Sequence, residues 1–193
     1  MNSKTFATTT LRDLIKSRFA DFVGERGFER ERADSLFYPF RRRHEARHDL
    51  IEVQFDKYHR PKFVVNFGQL PAEGIIDAYG RFVDSDSVGV AHLVQRGRLY
   101  PTGRSLLLGE PAWFAVRWWN SRRPEKAAEV QIEKLIRVFT QLEEWFRSGK
   151  AGPSLRIHRH PINAPGAIKK SMEERGIWPP TGWTEKDEKA LRM

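Results

Sequence analysis

Arg41-Arg42-Arg43-His44, followed closely by Arg47 and His48, is the densest set of groups in this chain that could do chemistry. Adjacent guanidinium groups can hold phosphates or carboxylates in bidentate fashion, and a protruding basic hairpin tip can follow a nucleic-acid groove. The same residues also suit a solvated tip whose charge keeps an edge strand from pairing with neighbours. A second candidate lies in Trp113-Phe114-Ala115-Val116-Arg117-Trp118-Trp119. In a strand, Trp113, Arg117 and Trp119 share one face, and Arg122 and Arg123 extend it into an aromatic and basic platform. The competing reading puts both faces under cover, since Trp is more often core than platform.

Catalytic and metal chemistry find little support. There is no G-x-S-x-G elbow, no phosphate-binding glycine loop and no dinucleotide fingerprint. With zero cysteines, a thiol nucleophile, a disulfide or a cysteine zinc site is impossible within the chain. His158-x-His160 and His44-x-x-x-His48 have ligand spacing, but they sit among arginines rather than carboxylates, so no metal is expected. Asp84-Ser85-Asp86-Ser87 lacks the glycine and terminal glutamate of a calcium loop and reads as a turn. No cofactor is expected, and the chain reads as a non-enzymatic binding domain.

The elements that must position these residues follow from periodicity. Leu11, Leu14, Ile15, Phe19, Phe22 and Val23 mark one face of a helix, with Thr10 as cap, Asp13 in the first turn and Gly24 or Gly27 as stop. Strands follow at Ser35 to Phe40, at Ile51, Val53 and Phe55, and at Phe63 to Phe67 before Gly68, an antiparallel meander. Pro39 lacks an amide donor, which predicts an edge position or a bulge for its strand. Between Leu70 and Gly109, glycines predict short strands and loops, with a hairpin about Arg96-Gly97 joining His92–Gln95 to Arg98–Tyr100. From Pro124, the stripe Ile132, Leu135, Ile136, Phe139, Leu142 and Phe146 predicts a long helix ending at Gly149. The fold class is therefore α+β, with an antiparallel sheet and both helices on one face. The expected domain spans residues 1–150. The Pro-rich residues 151–193, with Trp178-Pro179-Pro180-Thr181-Gly182-Trp183, read as a tail strapped onto it or offered to a partner.

Composition bounds the partners. At 193 residues the chain can bury a core, and 13 Phe with 6 Trp supply large apolar units for it. The 34 Lys and Arg against 25 Asp and Glu leave a net charge of +9, which favours anionic partners. No apolar run approaches membrane-spanning length and no apolar leader follows Met1, so a cytoplasmic protein with no membrane partner is expected.

Leu14 to Phe22, Gly27-Phe28, Phe37, Phe40-Arg41, Ile51-x-Val53-Gln54 and Phe63-x-Val65-Asn66-Phe67-Gly68 together resemble a bacterial family of domains of unknown function. Its pattern is a helix ending in Gly-Phe, an F-x-R strand, a Q strand and an F-x-V-N-x-G strand. Trp118-Trp119 and Leu142-Glu143-Glu144-Trp145-Phe146 are similar to the family's closing strand and helix. The resemblance implies an α+β fold, no known catalytic residue, and a small accessory protein, in some cases linked to toxin–immunity loci. A protein partner, acidic given the charge, is the leading expectation. Nucleic acid bound through Arg41, Arg42, Arg43 and Arg47 with Arg117, Trp119, Arg122 and Arg123 is the alternative.

Overall fold

The computed structural model describes residues 3–76, 82–93, 95–101, 113–116, 123–159, 170, 173–174 and 176. It is α+β, with an antiparallel sheet and two helical segments on one face, as the apolar periodicity predicts.

The N-terminal helix starts earlier than a Thr10 cap implies. Helix α1 covers Ser3–Leu14, continues through a π-helical turn at Ile15–Phe19, and ends with α2 at Ala20–Gly24. Thr10 lies inside it and donates its hydroxyl to the Phe6 carbonyl, because Ala7 extends the buried stripe one turn upstream of Leu11. The wide π turn keeps Ile15 and Phe19 both inward, four residues apart on one side. Gly27, with φ +81, turns the chain out, and the Phe28 amide closes the end on the Val23 carbonyl.

The strands are β1 (Glu29–Arg30), β2 (Phe37–Arg43), β3 (Arg47–Phe55), β4 (Lys62–Pro71), β5 (Ile75–Ile76), β6 (Phe82–Val83), β7 (Gln95–Leu99), β8 (Phe114–Ala115) and β9 (Leu155–Arg159). The main sheet runs β1-β2-β3-β4-β7-β9, with β8 also pairing with β4; β5 and β6 form a separate ladder. Pro39 sits beyond the short β1 ladder, with its carbonyl toward that outer side, where it accepts from the Glu31 amide. Its missing donor therefore costs no ladder bond.

Two expectations are corrected. Arg41, Arg42 and Arg43 do not form a hairpin tip: β2 runs through all three, and the turn is only His44 to Ala46, closed by the His44 amide on the Arg47 carbonyl. Nor does the chain turn back at Arg96-Gly97. Gln95–Leu99 is one strand, paired on one side with β4 and on the other with β9. Gly97 is there because a Cβ would lie 2.1 Å from the Phe67 ring, which crosses the neighbouring strand. The sheet also takes in Leu155–Arg159.

Helix α3 (Pro124–Ser148) has Pro124 in its first turn and Gly149 at φ +72 as its left-handed stop. Ile132, Leu135, Phe139, Leu142 and Phe146 are buried on the sheet, as their spacing predicts. They meet Phe19, Phe40, Ile51, Val53, Val65 and Phe67 in the main core, where Phe67 lies 4.8 Å from Trp145 and Phe19 lies 5.7 Å from Phe40. The described residues cover the opposite face only in part. Val88, Val90 and Leu93 pack on Leu50 and Leu70, and Gly68 admits the Leu93 side chain.

Candidate functional site

The arginines that first attract attention are mostly committed inside the fold. Arg41 is 1 % exposed, paired with Glu31, and donates to the carbonyls of Ser85 and, at 2.9 Å, Val88. It staples the segment covering the second sheet face. Arg42 donates to Asp49 at 2.8 Å and to Glu143 at 3.0 Å, with its guanidinium 4.4 Å from the Phe28 ring centre. Arg47 donates to the Phe146 carbonyl, one of the free carbonyls at the end of α3. Arg43 is half exposed, held by Glu29 and Asp86 at 3.0 Å each. Asp49, fully buried, is shared by Arg42, His44 and Gln69, so this corner is a polar pin between sheet and helix. A cleft of about 420 Å³ lies above it, lined by Phe22, Arg26, Arg42, Arg47, Glu143 and Arg147 among others, with acidic and basic groups interleaved. Arg123 is exposed just before α3. Arg117, Trp119 and Arg122 lie outside the described residues.

Another cleft, about 430 Å³, lies on the sheet face away from the helices, which the described residues cover only in part. Alternation along the strands and the ladder register build it. Glu52 on β3 lies opposite Asn66 on β4, Asn66 opposite Arg98 on β7, and Arg98 opposite Arg156 on β9. One row further, Arg96 lies opposite His158. Asn66 is the hub: its amide donates at 3.1 Å to Glu52 and at 3.1 Å to Gln54, and its oxygen accepts from Arg98 at 3.2 Å. Arg96 is steered by a 3.0 Å bond to the Ala91 carbonyl, and Phe37 and Val90 form apolar walls. Burial pushes the Glu52 carboxyl above its usual range, against the Asn66 hydrogen bond and the Arg96 charge, which favour ionisation. Cleft position, a perturbed carboxyl and convergent polar groups together make this the stronger candidate site of the two.

Residues 20–148 match the model of a family described as Domain of unknown function (DUF4304). The chain belongs to the DUF4304 family. No curated protein and no solved structure matches it. The DUF4304 match takes in α2, the meander and α3, and stops before β9. Glu52, Gln54, Asn66, Arg96 and Arg98 thus fall inside the matched residues of this DUF4304 chain, whereas Arg156 and His158 fall outside.

Sequence reading named Gln54, Asn66 and His158 for other reasons and did not bring these cleft residues together. Their one local signal is period two: Glu52 and Gln54, Arg96 and Arg98, and Arg156 and His158 are each spaced to share a strand face. Among the described residues, no group of three or more acidic or imidazole side chains could hold a metal, and no helix is long and apolar enough to cross a membrane.

Proposed function

We propose that this protein is a binding module that takes an acidic stretch of a partner protein on the half-open face of its sheet. The reading rests on one observation: the β7–β9 register sets Arg98 directly against Arg156 on a single face. Like charges directly opposite across antiparallel strands destabilise a sheet, and an anion lying over them relieves that repulsion. Charge complementarity supports it, since the whole chain carries +9. A protein segment fits better than a nucleic-acid strand because the basic block is short. It ends at Glu52, where a continuous polyanion would meet a carboxyl group, while Phe37 and Val90 offer apolar walls for side chains. The toxin–immunity link implied by the family resemblance is one setting in which a basic accessory domain meets an acidic protein.

The test is calorimetric titration with a Glu- and Asp-rich peptide across a salt series. Binding should weaken as salt rises, and Arg98→Gln or Arg156→Gln should each cost roughly tenfold, about 1.4 kcal/mol. Arg43→Gln, on the far end of the same sheet face, should leave affinity unchanged. Equal binding by the Arg98 and Arg156 variants contradicts the proposal.

A further inference from the structure

We propose that the turn between β3 and β4, residues 56–61, is a second binding site, one that takes single-stranded nucleic acid by stacking a base on Tyr58. Tyr58 is 66 % exposed, more than any other large hydrophobic side chain among the described residues. Its ring is flanked by cations, with the Lys57 Nζ 5.0 Å and the Arg60 guanidinium carbon 5.2 Å from its centre. Beyond Arg60 come Lys62 and the half-buried Trp113, whose ring centre lies 4.1 Å from the Lys62 Nζ. The sheet brings Trp113 here, because Ala115 pairs with Lys62 and the Val116 amide donates to the Pro61 carbonyl. Rings and cations thus interleave at one end of the sheet, a pattern that holds stacked bases and their flanking phosphates.

The turn is fixed before any ligand arrives. Asp56 is buried and accepts from Arg60 at 2.9 and 2.7 Å and from the Tyr58 amide at 3.0 Å, with the Lys62 Nζ 3.4 Å away. His59 is held at φ +55, a conformation that favours glycine, and its carbonyl accepts from the Thr8 hydroxyl at 2.9 Å. Such restraint lowers the ordering cost of binding, and backbone strain of this kind collects at ligand clamps. Residues 57–62 hold no acidic side chain, so Lys57, Arg60 and Lys62 answer only to the buried Asp56 and the turn stays positive. Arg60 spends its Nε and Nη2 on Asp56 and contributes mainly charge, whereas Lys57 has no carboxylate partner among the described residues. A carboxylate-rich segment would answer that charge but leave the Tyr58 ring in water. A nucleobase covers the ring, and the phosphates on either side of it meet Lys57 and Arg60.

The experiment measures fluorescence anisotropy of labelled oligo-dT and oligo-U with the full chain across a salt series, beside a DNA duplex of the same length. Either single strand should bind more tightly than the duplex, whose bases are already stacked, and the tighter of the two names DNA or RNA as the natural ligand. Tyr58→Ala should weaken that binding roughly fivefold or more, and Tyr58→Phe should keep it. Lys57→Gln should flatten the slope of log affinity against log salt by about 0.7. Both side chains are exposed, so the urea midpoints of these variants should not move and lost affinity cannot be assigned to unfolding. Arg156→Gln should leave oligonucleotide binding unchanged, which separates this site from the sheet face. Binding unchanged in Tyr58→Ala, a duplex bound as tightly as either strand, or no binding by either strand overturns the proposal. So does a Glu- and Asp-rich peptide whose binding falls in Tyr58→Ala, since the turn is then a protein contact.

Discussion

Arg41, Arg42 and Arg43 are consecutive, yet each answers to a different neighbour. Arg41 neutralises Glu31 beneath the covering segment, Arg42 joins Asp49 to Glu143 on α3, and Arg43 stays half in water with Glu29 and Asp86. Removing one partner of a buried ion pair is expensive, so Arg41→Ala should lose about 3–5 kcal/mol in urea unfolding. Arg43→Ala should change stability by less than about 0.5 kcal/mol. The acids separate by environment as well. Arg60 holds Asp56 most strongly, through bonds at 2.9 and 2.7 Å, helped by the Tyr58 amide and Lys62, and this keeps the carboxyl below its ordinary range. A depressed carboxyl stabilises the fold above the unfolded value of about 3.9, and that contribution is lost as acid protonates it. Asp56→Asn should lower the urea midpoint at neutral pH and flatten the stability profile on the acid side. Glu52 behaves in the opposite sense. Burial raises it, so ionisation costs stability as pH rises through the carboxylate range. Glu52→Gln should raise the melting temperature at neutral pH and tighten anion binding in the cleft, with Asn66 keeping its acceptor.

At the scale of elements, close packing explains both what the sequence revealed and what it hid. The two helices and strands β3 and β4 were legible because each repeats apolar residues at its own period, and those residues fill one core. Strand β7 was not, since Gln95-Arg96-Gly97-Arg98-Leu99 has a glycine where an apolar residue would complete the pattern. The glycine is needed by Phe67 on the adjacent strand, a contact between residues 30 positions apart. Gly97→Ala would push that ring toward Trp145 and should cost about 1–3 kcal/mol, read from the denaturation midpoint. The same non-locality concealed the cleft. Period two places Arg96 with Arg98 and Arg156 with His158, but only the ladder between distant strands brings the two pairs together. The arginine triplet drew notice by composition, and its acidic partners lie as far away as residue 143.

Among the described residues, one sheet face is sealed by helices and the other is only partly covered. On the proposed reading, that partly covered face is where the positive charge acts. Much of the charge in β2 is answered internally, and β7 and β9 set Arg98 opposite Arg156 on the face away from the helices. The last of those strands comes from residues beyond the DUF4304 match. The most direct measurement is affinity for the Glu- and Asp-rich peptide in the wild type and in Arg156→Gln. Salt-sensitive binding that the substitution weakens roughly tenfold is the predicted result. Binding that is absent, or is unchanged by the substitution, contradicts the assignment of function to this face.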